Sequence, residues 1–233
     1  MRPERSDVTW NRDQAWAAAV IADRQVGGYL KNPEMDYETS PPTLLRPANK
    51  SILYQAIKDP GSMIITDDDI EQGRELHSFI SQNLTMAMLR GQFNDFQRVQ
   101  AEVVAREVFG ANSMYHVSIL ASLPEQRRRY HQRQHYEELV RNSTALPDLV
   151  GSRVTVYGLV VRNIWSEKWN THYVTVITDS NAQVFFAYKK PLLVGERGSF
   201  TGTVKRQDTQ STQLNRVVAN LEESVCKLSS ESF

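Results

Sequence analysis

The chain has 233 residues, 40% of them hydrophobic and 23% charged, with equal numbers of basic and acidic side chains and a formal net charge of zero. That length and mixture fit one large soluble domain or two small ones, and no apolar run approaches the roughly 20 residues of a membrane span. Cys226 is the only cysteine, which excludes an intrachain disulfide and a cysteine-built zinc cluster. The first residues, Met1 to Asp7, lack the apolar core of a secretory signal, so a cytoplasmic location is expected.

The first 145 residues read as helical. Trp10 to Val26 carries Trp16, Ala17, Ala19, Val20 and Ile21 and stops at Gly27-Gly28, a helix-ending pair. Between Asn32 and Pro47 the prolines 33, 41, 42 and 47 predict an extended connector. Ser51 to Lys58 is a short helix ended by Asp59-Pro60-Gly61. The strongest helix starts at Thr66, where Thr66-Asp-Asp-Asp69 has capping-box spacing and sets three carboxylates at the positive end of the helix dipole. Its apolar positions Leu76, Ile80, Leu84 and Met88 recur every four residues, joined by Ile70 and Phe79. Capping accounts for Asp67 to Asp69, because adjacent carboxylates on a helix point in different directions; no metal site is expected. Further helices are predicted from Asn94 to Phe109, from Ser113 to Leu123 and from Pro124 to Asn142. Asn142 to Asp148 reads as a linker.

From Gly151 the period changes from helical to alternating. Five β-branched runs follow: Arg153–Val161, Thr171–Thr178, Gln183–Tyr188, Gly198–Arg206 and Thr212–Val218. Glycines inside the first and fourth runs suit a small, strongly curved barrel. The fold expected is therefore α+β: a helical domain over residues 1–145, a five-stranded barrel over 146–222, and a flexible tail over 223–233.

Charge is distributed unevenly. Between Leu149 and Asn220 nine basic side chains face four acidic ones, a net of +5, so the rest of the chain carries −5. The same segment is rich in rings. Trp165 and Trp169 flank the turn after the first strand, Tyr157 alternates with core valines, Tyr173 lies on the second strand, and Phe185, Phe186 and Tyr188 lie on the third, followed by Lys189-Lys190. Flat rings stack bases without reading sequence, and cations track phosphates. The expected base-stacking set is Trp165, Trp169, Tyr173, Phe186 and Tyr188, with Tyr157 beside it; one of Phe185 and Phe186 must be core. Arg162, Lys168, Lys189, Lys190, Lys205, Arg206 and Arg216 are expected to hold phosphates. A second basic patch, Arg127, Arg128, Arg129 and Arg133, sits on the last helix, where residues 127, 131 and 135 share a face.

Five features together, Val154-Thr-Val-Tyr-Gly-Leu-Val160, the Ile177-Thr-Asp-Ser-Asn181 turn, Val194-Gly-Glu-Arg197, Gly202-Thr-Val-Lys205 and Thr212-Gln-Leu-Asn-Arg216, resemble the OB-fold modules of bacteriophage single-stranded DNA-binding proteins. The resemblance covers about 70 residues. It implies a non-catalytic protein that binds single-stranded DNA, with RNA as the alternative strand, in phage replication, recombination or transcription inside an infected bacterial host. No cofactor is expected. The helical domain would set a homo-oligomeric state or recruit a polymerase or other replication protein, its acidic balance suiting protein contact. Two other classes compete: a nuclease or accessory subunit using the barrel as a substrate clamp, and a barrel that binds protein. Phe233 parallels the terminal Phe of bacterial single-strand-binding proteins, but without their acidic, proline-containing tip.

Overall fold

The computed structural model describes residues 9–222; Cys226, Phe233 and the expected tail lie outside the described residues. Two compact units divide the chain between His131 and Gln132.

The first unit opens with β1 (Thr9–Asn11) and α1 (Arg12–Val26). Asn11 caps α1 in a full capping box with Gln14, and Gly27 ends it with φ 75°, its N–H donating to the carbonyls of Arg24 and Asp23. Five alanines of α1 and Trp16 are buried, so this helix runs through the core. The proline-rich connector folds back as a two-stranded hairpin of β2 (Glu34–Asp36) and β3 (Thr43–Arg46), beyond what its prolines alone predict. Helices α2 (Asn49–Lys58), α3 (Asp67–Leu89) and α4 (Asp95–Val104) follow. The Thr66 capping box forms as expected. Gly73 lets α3 settle onto α1, since a Cβ there would lie 2.6 Å from the Ala17 nitrogen. The helix expected to reach Phe109 stops at Val104. The residues after it form β4 (Val108–Gly110), which pairs with β1 and buries Phe109 completely. α5 (Met114–Leu120) and α6 (Leu123–Arg141) complete the helices, and α6 carries the boundary between the units.

The second unit is a closed barrel of β5 (Arg153–Ser166), β6 (Thr171–Thr178), β7 (Gln183–Tyr188), β8 (Arg197–Gln207) and β9 (Ser211–Leu221). The strand order is β5-β6-β7-β9-β8, with β8 returning to β5. All pairs are antiparallel except β7 with β9. This mixed, five-stranded closure is OB-fold-like. Curvature comes from a bulge at Val161 and from Gly158, where any Cβ would run into the Ile177 carbonyl. Val156, Val160, Val174, Val176, Val184, Phe186, Phe200, Val204 and Leu214 fill the barrel. The residues expected as a linker belong to this unit. Thr144 bridges to Ala182 in parallel, and Leu146 is buried in the barrel core.

Candidate nucleic-acid interface

Alternation along β5 and β6 decides which side chains leave the barrel. Before the bulge the inward residues of β5 are Val156, Gly158 and Val160; after it the register sets Arg162 opposite Thr175 and Ile164 opposite Tyr173, all on the outer wall. Ile164 is 53% exposed and Tyr173 41%, so this wall is open. On β7, Phe185 pairs with Thr175 and stays half-buried on the outside. One register row therefore crosses the front of the barrel: Arg162, Thr175, Phe185, Gln213 and Arg206. It has an arginine at each end and a ring in the middle.

The rim above this wall is built by the β5–β6 hairpin. Asn170, at φ 45°, closes its turn. Trp165 faces His172 across the hairpin, and His172 faces Tyr188. The Trp165 and His172 rings lie with centroids 4.7 Å apart and planes inclined by 53°. His172 Nδ1 is 2.9 Å from the Asn163 side-chain oxygen, and Asn163 donates its amide to the Leu192 carbonyl at 2.6 Å. Trp169 projects from the turn, 62% exposed, with the Lys168 ammonium 5.2 Å from its ring centroid. Lys189 and Lys190 leave the end of β7 at the same rim, both exposed.

Not every expected residue joins this group. Phe186 is corrected to core: alternation turns it inward, it is fully buried, and its ring packs 5.5 Å from Phe200. Phe185 takes the outward position that the sequence left open between the two. Tyr188 shares the inward side with Phe186, meets it edge-on, and half-closes the barrel end, so only part of its ring faces out. Tyr157 is exposed but lies on the β5–β8 wall, where its hydroxyl donates to Glu222; that bond, with the nearby negative charge, raises its pKa. Lys205 and Arg216 are exposed on β8 and β9, away from the tryptophan rim. Sequence reasoning missed Ile164, His172 and Asn163, whose roles arise from cross-strand register.

The cations at the rim are available for anions. Among the described residues, the barrel's one ion pair joins Arg197 to Asp179. Asp208 accepts from the Gln210 and Ser211 amides, which hold its carboxyl below the usual range, and Glu196 accepts from the Leu193 amide. Arg162, Lys189 and Lys190 have no carboxylate within 4.0 Å among the described residues. The helical patch differs. Arg127 pairs with Glu75, Arg128 with Asp23 and Glu125, and Arg129 with Glu125, so three of its four arginines bind the unit's own acids; Arg133 alone of the four lacks such a pair among the described residues. Among the described residues no group of three or more His, Cys, Asp or Glu could hold a metal ion, and no helix is long and apolar enough to cross a membrane.

No protein-family model matches the chain, and no curated protein matches it.

Proposed function

We propose that the barrel binds single-stranded DNA without catalysis and with little sequence preference, in phage replication, recombination or transcription. One observation carries this reading: exposed Trp165, Trp169 and Tyr173 share a rim and wall with Arg162, Lys168, Lys189 and Lys190. Rings supply base stacking and cations supply phosphate contact, the two requirements of a sequence-tolerant single-strand site. In OB-type barrels the face of the second and third strands and the adjoining loops is where oligonucleotides lie. The helical unit, with exposed Met86, Met88, Leu89 and Phe96, is the part suited to self-association or to a polymerase or replication protein.

The test is a fluorescence titration with an unstructured oligonucleotide. Trp10 and Trp16 are buried, so quenching reports Trp165 and Trp169. Quenching at low salt that reverses as salt rises supports the reading; no quenching favours a protein-binding barrel. Parallel incubation of a labelled strand with magnesium should leave its length unchanged, and shortening would point instead to a nuclease.

A further inference from the structure

We propose a second nucleic-acid lane on the opposite part of the barrel, which grips the phosphate backbone and stacks no bases. The inference rests on the single-strand reading above. Its wall consists of β8, the first half of β5 and the second half of β9. Arg153 stands opposite Thr203, Thr203 opposite Asn215, Thr155 opposite Thr201, and Thr201 opposite Val218. Arg153, Lys205 and Arg216 are exposed, and among the described residues none has a carboxylate within 4.0 Å. The hydroxyls of Thr155 and Thr201 lie 2.8 Å apart in the next outward row of the same wall. Cations and hydroxyls without rings are the chemistry of backbone contact, which positions a strand and carries no sequence information. The one ring placed outward here, Tyr157, is committed through its hydroxyl to Glu222.

Two further observations point the same way. Arg216 sits at φ 50° within β9, a left-handed position that a long side chain rarely takes, where the register shifts opposite Gly202. The register shift makes Arg216 the chain neighbour of Asn215, which ends the outward row that Arg153 begins through Thr203. The lane is also continuous with the front. Arg206 closes the front row, and its neighbour Lys205 is the extra residue of a second bulge, exposed on β8. A strand leaving the front at the β8–β9 hairpin meets the second lane there.

The experiment compares oligothymidylates of about 6 and about 30 nucleotides on the full chain, the shorter sized to fill one OB-type site. Two variants are used, a rear triple (Arg153→Gln, Lys205→Gln, Arg216→Gln) and a front double (Trp169→Ala, Tyr173→Ala), each checked for an unchanged melting profile. The rear triple should leave short-strand affinity within about twofold and weaken the long strand at least tenfold. It should also lower the salt slope for the long strand by about 2, at 0.7 per phosphate contact. Unchanged long-strand affinity and slope overturn the second lane, as does an equal loss for both lengths. The front double should weaken both lengths. Failure of the native protein to bind either strand overturns the functional reading and this inference together, whereas normal front behaviour with an inert rear triple overturns this inference alone.

Discussion

Trp165 and His172 meet ring against ring, in a tilted contact, across the first hairpin of the barrel, and Asn163 fixes the histidine from below. Because the Asn163 amide nitrogen donates to Leu192, its oxygen is the acceptor and His172 carries hydrogen on Nδ1. The indole is thereby held at the rim by a chain of contacts that ends on Leu192, a buried residue of the barrel core. Trp165→Ala and Trp169→Ala are each expected to weaken single-strand binding by about 1–3 kcal/mol. His172→Ala, which removes both the ring against Trp165 and the bond to Asn163, should cost about 1 kcal/mol of strand affinity. Unchanged affinity in fluorescence or filter titrations would assign these rings a purely structural role.

Phe186 and Phe185 separate binding from folding. Phe186→Ala removes a fully buried ring packed on Phe200 and should destabilise the barrel by about 3–5 kcal/mol. Phe185→Ala takes a half-buried ring from the middle of the front row and should lower strand affinity more than stability. Thermal melts and titrations on the same samples resolve the two effects.

Gly73 offers a test in the helical unit. On an exposed helix, alanine in place of glycine gains about 1 kcal/mol. Here the added Cβ would lie 2.6 Å from the Ala17 nitrogen and 2.9 Å from the Trp16 carbonyl carbon, both backbone atoms that cannot rotate away. Gly73→Ala is therefore expected to lose about 2–3 kcal/mol through overpacking, read as a lower denaturation midpoint.

Asp69 gives the acid limb of stability. Burial alone would raise its pKa, but the Thr66 amide and hydroxyl and the Arg24 guanidinium hold the carboxyl below its usual value. A folded-state pKa below the unfolded one contributes stability that is fully present above about pH 4 and is lost as pH falls through the folded value. Asp69→Asn should be less stable near neutrality, and its stability should fall less steeply on acidification. Parallel curves for the two proteins below pH 4 would contradict this.

Arg216 sets stability against binding. Its left-handed conformation costs a non-glycine residue about 1–2 kcal/mol. Arg216→Gly should raise barrel stability by about 1 kcal/mol while weakening the binding of long strands. A variant that gains stability with full affinity would show the strain to be unrelated to ligand.

What the sequence made legible follows from the range of each signal. The Thr66 capping box, the Gly27 stop and the five alternating runs are local, and the structure has them where the residues demand. Non-local pairing was hidden: β4 exists because Phe109 finds a core site beside β1, which no window around residue 109 contains. The split of Phe185 from Phe186 depends on strand register, and the bulge at Val161 turns Arg162 and Ile164 onto the front. The sequence reading grouped Lys205 and Arg216 with Lys189 and Lys190, whereas the closed barrel sets Lys205 and Arg216, together with Arg153, on a different wall.

The Thr144 bridge and the buried Leu146 bear on how the barrel can be isolated. Leu146 donates its amide to the Thr212 hydroxyl and receives the Gln207 side chain on its carbonyl, so it stoppers the barrel beside the β8–β9 hairpin. A fragment trimmed at residue 146 would discard the Thr144 pairing that anchors this stopper, leaving the lower mouth loosely sealed. Excision upstream, within α6 near Gln132 where the two units divide, keeps the Thr144 pairing and the seal intact.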